Sequence, residues 1–417
     1  MRGLGFESIF DNTNLGSVGR LSEISAYEGV FLASYGVWLI AMLLSSTFFA
    51  AATGLTVLMA LRYFGIGGAV LSLILRGEHR ASEVAGLSVL IVLTFIANSS
   101  NAPALLDLIV FVYCGRSVEF GKIARESLWV SGFILLFTVL SAKAGFIENY
   151  VSISSGGGAV RRREYLGFLY ALQPSQLMFN ITCLVVFVKG EKFSIPCALA
   201  LLAANLFIFE ATNGRLSFFI SATLITAAFL FRYGLAEKTL GRLLVAFAPL
   251  AFLACFALSW FATVRYSTHS PVLYELNTIL GNRLDLGHRA LAEYGTTLFG
   301  QEINFIGNGL GIDGKLSRSG AYNYVDCLYV RLPLLYGWVF TTLFLAGITL
   351  VTVLAVKRRN YALVLVLVAI AAHCVVDDLA IRLQFSTFLF LISASLVEVV
   401  GGFLVRSRYR AQRRFVN

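Results

Sequence analysis

The chain has 417 residues, of which 58% are hydrophobic and 13% are charged, and its mean hydropathy is +0.79. Soluble domains carry about 25% charged residues, so this composition excludes an ordinary soluble protein. The net charge of +10 would indicate nucleic-acid binding if the basic residues formed one soluble domain, but they lie between apolar segments. We therefore expect a polytopic membrane protein with membrane lipid, and no nucleic acid, among its partners.

The apolar segments give the expected fold. Because unpaired backbone groups are costly in hydrocarbon, each segment is predicted to be a helix, and about 20 residues span the bilayer core. Twelve segments qualify, and the fourth is short enough to be re-entrant. They are residues 28–49, 53–75, 82–98, 102–114, 127–147, 165–188, 194–211, 215–234, 243–262, 326–356, 361–378 and 384–405. The fold class is therefore all-α, with about 12 transmembrane helices.

The chain divides into three parts on this pattern. Residues 1–262 hold the first nine helices, residues 263–325 form a large extracytoplasmic loop, and residues 326–417 hold the last three helices and a basic tail. Lys and Arg in short loops resist translocation, which sets the orientation. A cytoplasmic position for both termini places 20 of the 33 Lys and Arg residues inside and 10 outside. We expect a multi-pass protein of the bacterial cell (inner) membrane.

The outer basic residues depart from this charge bias. Most of them lie in three places, namely the loop before the sixth segment, the start of the eighth segment and the large loop. They include Arg161, Arg162, Arg163, Arg215, Arg283 and Arg289. Such a concentration indicates an anionic ligand at the outer face, although pairing with lipid headgroups or local carboxylates is the simpler alternative.

The large loop contains a predicted amphipathic helix. Residues 274–300 (YELNTILGNRLDLGHRALAEYGTTLFG) place Leu at helical spacing on one face. Asp285, Arg289 and Glu293, which are four residues apart, lie on another face. The pattern predicts one helix lying over the outer mouth of the bundle, and the charges could equally pair with one another in solvent.

Three other features bear on chemistry. Six Cys residues lie far apart and form no CxxC pair, so we expect neither disulfides nor a zinc site. His373 and Asp377 are four residues apart and could offer two metal ligands, but no third ligand is adjacent. An Asp378–Arg382 ion pair is the simpler expectation in that segment. We expect no metal and no cofactor.

The order of the local motifs carries a family resemblance. Arg161, Arg162 and Arg163 lead into Pro174 in RRREYLGFLYALQPSQ, and they are followed by ATNGRLSFF, by the loop helix and by YNYVDCLYVRLPLLYGW. Over roughly residues 160–340 this order resembles the Wzy-type polymerases of O-antigen and capsular polysaccharide in bacteria. Gln176 departs from the Asn usual in that family, and Asn213 and Gly214 replace the small hydroxyl residue usual before the arginine.

The resemblance implies a metal-independent glycosyl transfer. A growing glycan would move from undecaprenyl pyrophosphate onto a new lipid-linked repeat unit at the extracytoplasmic face, with a chain-length regulator and a flippase as expected partners. Arginine suits the leaving pyrophosphate, because its guanidinium stays charged and binds phosphate oxygens in bidentate fashion. The candidates for substrate and pyrophosphate binding are Arg161, Arg162, Arg163, Arg215, Arg283, Arg289 and Tyr329.

The acceptor hydroxyl needs a base, for which the sequence offers His288, Asp326 and Glu293. His288 lies among arginines, which would keep its ring neutral, and Asp326 opens the tenth segment beside several tyrosines. Two other functions stay open at this point. One is a lipid-linked oligosaccharide flippase or transporter, for which a repeat between the two halves is expected but not seen. The other is a glycosyltransferase of the O-antigen-ligase type.

Overall fold

The computed structural model describes residues 25–76, 85–92, 102–156, 159–235, 238–316 and 320–399, with the backbone alone at 102–104, 154–156 and 159–161. The predicted third segment lies only partly within the described residues. The same is true of the twelfth segment, and the basic tail and the side chain of Arg161 lie outside them.

The described chain is mostly helical, as the composition predicts. The first part holds α1 (Ala26–Leu44), α2 (Phe49–Thr53), α3 (Leu55–Leu75), α4 (85–92), α5 (Ala102–Cys114) and α6 (Phe120–Lys143). Next come strands β1 (Val151–Gly156) and β2 (Ala159–Glu164), then α7 (Gln173–Lys189), α8 (Ile195–Thr212) and α9 (Arg215–Arg232). The remainder holds α10 (Thr239–Phe247), α11 (Ala251–Val264), α12 (Pro271–Ile279), α13 (Arg283–Tyr294), α14 (Leu328–Arg331), α15 (Gly337–Lys357), α16 (Tyr361–His373) and α17 (Thr387–Val399).

Seven helices of the described residues are long and apolar enough to cross a membrane. They are Ala26–Leu44, Leu55–Leu75, Phe120–Lys143, Ile195–Thr212, Arg215–Arg232, Thr239–Val264 and Leu328–Lys357. The sixth of these includes both α10 and α11, and the seventh includes both α14 and α15. Each coincides with one of the twelve predicted segments, so a helical membrane protein is confirmed. The other five segments correspond to shorter helices, α4, α5, α7, α16 and α17, and the count of twelve stays a prediction.

Close packing of α1 on α3 builds one side of the bundle. The two helices meet at Gly65, where a Cβ would lie 2.7 Å from that of Trp38 and 2.8 Å from the Ser34 carbonyl oxygen. Small residues allow this approach, which gives van der Waals contact that lipid cannot replace. The positive charge of Arg62 in α3 is paired within the protein, since its Nε lies 3.0 Å from the carboxylate of Asp107.

A cluster of aromatic side chains joins the first helices to the last one. Tyr35 and Phe390 have ring centroids 5.1 Å apart and meet edge to face, and Trp38 lies 4.8 Å from Phe111. All four rings are buried. Edge-to-face aromatic pairs add to the free energy of area burial, so this cluster fixes α17 against α1 and α5.

The loops between helices gather at one end of the bundle, which we call the loop end. It comprises the β1–β2 hairpin, residues 265–316 and 320–327, and residues 374–386. The hairpin is antiparallel and pairs Val151 with Glu164. The sequence patterns did not predict it, and it adds a small sheet to the all-α expectation. It is tied to α6 by an ion pair of 2.5 Å between Lys143 Nζ and Glu164, which holds the pKa of Glu164 below its usual range.

Several predicted elements differ from the structure in their bounds, and two of the differences have a clear cause in the backbone. The helix expected over 165–188 begins at Gln173, because Leu166 and Gly167 both adopt positive φ and form a turn. The single helix expected over 274–300 is two helices, α12 and α13. Gly281 and Asn282 between them have φ of 66° and 67°, a left-handed conformation that ends one helix before the next begins.

A glycine at the start of α15 is expected to be irreplaceable. Gly337 has a φ of +79°, and a Cβ there would overlap the backbone of Leu298 and Gly300. Gly54 also has positive φ, but a Cβ there would meet nothing within 4 Å. Gly337→Ala should lower the unfolding midpoint well beyond Gly54→Ala, whose cost is limited to backbone strain of about 1–3 kcal/mol. Equal midpoints for the two purified variants would contradict the contact at Gly337.

Candidate functional site

Arg283 connects three segments of the loop end. Its Nε donates to the Val376 carbonyl at 2.9 Å, and one terminal nitrogen donates to the Leu280 carbonyl at 2.7 Å. The other terminal nitrogen lies 3.5 Å from the carboxylate of Asp326. Arg283 opens α13, while Asp326 lies just before α14. This one guanidinium therefore fixes the position of Asp326 relative to residues 374–386.

A second pair, Arg331 with Asp378, lies beside the first. Their side chains approach to 3.4 Å, and Arg331 also donates to the Val325 carbonyl at 3.2 Å. The guanidinium is held between two rings, 4.7 Å from the centroid of Phe305 and 4.4 Å from that of Tyr324. The Tyr324 hydroxyl donates to Asp378 at 2.8 Å. Burial, paired charge and aromatic faces together leave Arg331 no freedom to turn toward a ligand.

Asp377 belongs to a separate group of contacts. Gln176, in the first turn of α7, donates its Nε2 to one carboxylate oxygen, and the Leu379 amide donates to the other at 2.8 Å. Four residues before Asp377, at the end of α16, His373 stacks on Phe179 with ring centroids 4.1 Å apart. These contacts bring α7 and α16 together directly beneath the two arginine–aspartate pairs.

The loop end therefore holds three carboxylates close together. Burial raises the pKa of Asp326 to about 6, with Arg283 opposing the rise. Burial also raises the pKa of Asp377, and the neighbouring Asp378 adds to the rise. Desolvation disfavours the charged form of an acid, and a neighbouring carboxylate does the same. Groups whose pKa is shifted in this way are typical of functional sites, although structural ion-pair networks shift pKa values too.

The structure brings some of the predicted site residues together. Arg283 and Asp326 are paired, and Arg163 of β2 is near enough for its positive charge to oppose, in small part, the rise in the pKa of Asp326. Arg162 is exposed and lies 3.5 Å from Glu164. The side chain of Arg161 lies outside the described residues.

Arg215 lies at the rim of this region. It opens α9, is exposed, and donates its Nε to the Asn213 side chain at 3.1 Å. Two residues later, Ser217 lies 3.0 Å from His373 Nε2. The guanidinium of Arg215 therefore projects from a helix that contacts the site, and its polar nitrogens remain accessible at the surface.

The remaining predicted residues lie apart from the carboxylates. His288 donates its Nδ1–H to the Thr263 carbonyl at 3.0 Å, which fixes its ring on α11. Arg289 pairs with Asp285 one turn away, as the sequence spacing predicts, and Glu293 is exposed. Tyr329 is fully buried, and its hydroxyl donates to the Ala371 carbonyl at 2.8 Å.

Sequence reasoning missed several residues of this site. Arg331 lies inside the predicted segment 326–356, and a charge within an apolar segment is itself a signal of a buried partner. The expected Asp378–Arg382 pair is wrong, because Asp378 pairs with Arg331 instead. Arg382 is exposed, and no carboxylate of the described residues lies within ion-pair distance of it. It lies near enough to Tyr324 to oppose the rise in the pKa of that hydroxyl that burial causes.

In the described ranges, no group of three His, Cys, Asp or Glu side chains is arranged to hold a metal ion. Comparisons with protein-family models, with curated proteins and with solved structures found no match to this chain. The inference of function therefore depends on the residues of the loop end and on the sequence resemblance.

Proposed function

We propose that this membrane protein is a polysaccharide polymerase that transfers a growing glycan from polyprenyl pyrophosphate onto a lipid-linked repeat unit. The observation that carries the proposal is the convergence of Arg163, Arg283, Arg382 and Asp326 at one end of a helical membrane bundle. They come from four segments that are far apart in the sequence. A lipid-borne diphosphate needs cationic groups at headgroup depth, and a sugar hydroxyl needs a base beside them.

The distribution of charge supports an extracytoplasmic position for the loop end. Basic residues cluster at the opposite helix ends, namely Lys122, Arg125, Lys189, Lys192, Lys357, Arg358 and Arg359. Positive residues next to membrane segments favour the cytoplasmic side. In this orientation the lipid-linked unit reaches the site only after a flippase has moved it across the membrane, and a chain-length regulator would act on the same face.

In the proposed reaction, the acceptor hydroxyl attacks the anomeric carbon of the donor glycan. The new glycosidic C–O bond forms as the C–O bond to the lipid pyrophosphate breaks, and the pyrophosphate leaves with the electron pair. Arg382 and Arg215 are the exposed cations that would hold this negative charge. Guanidinium groups stabilise it most strongly where water is excluded.

Asp326 is the preferred base for the hydroxyl proton. Its side chain is 17% exposed, so a carboxylate oxygen is within reach of a ligand, whereas Asp378 is 6% exposed and held by Arg331. With a pKa of about 6, Asp326 is mostly deprotonated at neutral pH and still accepts a proton readily. Arg283 donates to two carbonyls and pairs with Asp326, so we assign it to positioning the base instead of binding pyrophosphate.

This arrangement predicts the pH dependence of the reaction. Asp326 acts as a base only when ionised, so activity should fall as the pH drops through about 6. Because an adjacent positive charge favours the carboxylate, Arg283→Gln should raise the pKa of Asp326 and move the acid limb of kcat to higher pH by about one unit or more. Full pH profiles of lipid-linked chain extension by both proteins would measure the shift. An unchanged acid limb in a folded variant would exclude Asp326 as the titrating base.

The cellular test uses glycan analysis of a strain lacking this chain. Loss of a polymerase should leave single repeat units capped on the lipid or on the final acceptor, with no longer chains. A flippase defect would instead retain lipid-linked units on the cytoplasmic side. Loss of a ligase would leave polymer on the lipid carrier. The three outcomes are distinct, and only the first agrees with the proposal.

A further inference from the structure

Tyr170 lies in the turn between the hairpin and α7, and backbone hydrogen bonds fix its position. The Leu169 amide donates to the Ser46 carbonyl at 2.9 Å, and the Leu169 carbonyl accepts from the Leu310 amide at 2.8 Å. The Tyr170 carbonyl accepts from the Gln173 amide at 3.1 Å, which closes the turn at the start of α7. These bonds hold the residue in place without its hydroxyl, so the phenol oxygen is not needed for this part of the fold.

The Tyr170 hydroxyl makes no hydrogen bond within the described part of the chain. By contrast, the Tyr324 hydroxyl donates to Asp378 at 2.8 Å. Tyr170 is half-buried and lies near enough to Asp326 and Arg283 for their charges to act on its hydroxyl. Burial, aided by the negative charge of Asp326, raises the pKa of this hydroxyl, so it keeps its proton. A hydrogen-bond donor without a partner therefore lies beside the proposed base.

A second polar group without a partner lies three residues along the chain. The side-chain Oε1 of Gln173, in the first turn of α7, is buried and accepts no hydrogen bond from the described residues. Buried acceptors are rarely left without a donor, because the lost hydrogen bonds to water cost free energy. The same helical turn reaches Asp377 through Gln176, which places it against residues 374–386. Both free groups thus belong to one short segment at the site.

The chemistry of the two groups favours a sugar as their ligand. A tyrosine hydroxyl donates a hydrogen bond, and an amide oxygen accepts one, while each sugar hydroxyl can do both. Neither side chain carries a charge, so the pair offers less to a phosphate than the arginines of the loop end do. An apolar ligand would leave both groups unsatisfied. Because the proposed base, Asp326, must meet the acceptor hydroxyl, the sugar beside it is that of the acceptor.

We infer that Tyr170 and Gln173 bind the acceptor sugar, with the Tyr170 hydroxyl donating to one sugar hydroxyl and Gln173 Oε1 accepting from another. The inference rests on the proposed function, because that reaction brings the acceptor sugar to Asp326. Neither residue takes part in bond making or breaking. Both therefore act on the affinity for the acceptor, and little on the rate of the bound complex.

The test compares two ligands of the purified chain in detergent by titration calorimetry. One is the lipid-linked repeat unit, and the other is polyprenyl pyrophosphate without a sugar. Tyr170→Phe removes only the hydroxyl and should weaken binding of the repeat unit by about 3- to 10-fold, the usual contribution of a neutral hydrogen bond. Gln173→Met, which keeps the length of the side chain, should act in the same direction. Neither change should alter the affinity for the sugar-free lipid.

The same variants are then compared in chain extension, with a preformed lipid-linked chain as donor and the repeat unit as varied acceptor. The KM for the acceptor should rise by the same factor as the dissociation constant, with kcat nearly unchanged. Tyr274→Phe is the matched control, because this tyrosine of α12 is 51% exposed and lies outside the site. It should leave both affinities and the KM at their wild-type values.

The outcomes separate this inference from the proposed function. Equal affinity of wild type, Tyr170→Phe and Gln173→Met for the repeat unit would overturn the sugar contact, even if chains are extended. An equal loss of affinity for both ligands would also overturn it, since the sugar would then not be what the residues recognise. Sugar-dependent binding that the variants weaken, without any chain extension by wild type, would contradict the polymerase proposal and support the sugar contact.

Discussion

Asp326→Asn is expected to reduce the rate of lipid-linked chain extension by about 100-fold or more, the usual contribution of a positioned general base. The amide keeps the size of the side chain but cannot accept the hydroxyl proton. Arg283 would still be held by the carbonyls of Val376 and Leu280, so the fold of the loop end should persist. The measurement is the initial rate of extension by purified protein with lipid-linked repeat units.

The control for this variant changes another carboxylate of the loop end. Asp285 is paired with Arg289 on the surface of α13, so Asp285→Asn should leave the rate within about twofold of wild type, as expected for an exposed ion pair. Unfolding midpoints establish that both variants are folded. A folded Asp326→Asn protein with wild-type kcat would exclude the carboxylate from the chemistry.

Arg382→Ala is expected to have a comparably large effect. Loss of one preorganised donor to a developing anion costs about 100- to 1,000-fold in kcat, and the accessible guanidinium of Arg382 has no carboxylate partner among the described residues to compete with a phosphate. Arg382→Lys should recover part of the rate, because lysine supplies the charge without bidentate geometry. The readout is kcat and KM measured separately.

The matched control is another arginine of the loop end. Arg265, at the end of α11, is exposed and lies over the ring of Phe261 at 5.2 Å. Both variants remove one positive charge from the loop end. If the extension rate depends on the position of Arg382 and not on the total surface charge, Arg265→Ala should change that rate little. Equal losses in the two variants would show a general electrostatic attraction to the membrane or substrate, and would contradict a specific role for Arg382.

Hydropathy predicted most of the helices, because the bilayer permits few alternatives for an apolar segment. It failed where backbone conformation is set by individual residues. The turn at Leu166 and Gly167 shortens the sixth segment, and Gly281 with Asn282 divides the loop helix. The hairpin went unpredicted, since Ser, Gly and Arg in its strands carry little hydrophobic alternation.

The site was predicted in part, for a related reason. Arg283 and Asp326 were found because polar residues in a long loop between apolar segments are conspicuous. The partners of Asp377 and Asp378 were not found, because Gln176 and Arg331 are brought to them only by helix packing. Local spacing instead favoured Asp378 with Arg382, and no rule of spacing reveals a contact between residues 201 positions apart.

We propose that cations and carboxylates gathered at the loop end catalyse glycosyl transfer from a lipid pyrophosphate. The decisive experiment is to incubate the purified protein with lipid-linked repeat units in micelles, without nucleotide, and to separate the glycans by length. We expect a ladder of extended chains, with one polyprenyl pyrophosphate released for each glycosidic bond formed. Unextended repeats, together with movement of the same lipid across liposomes by the same protein, would contradict it.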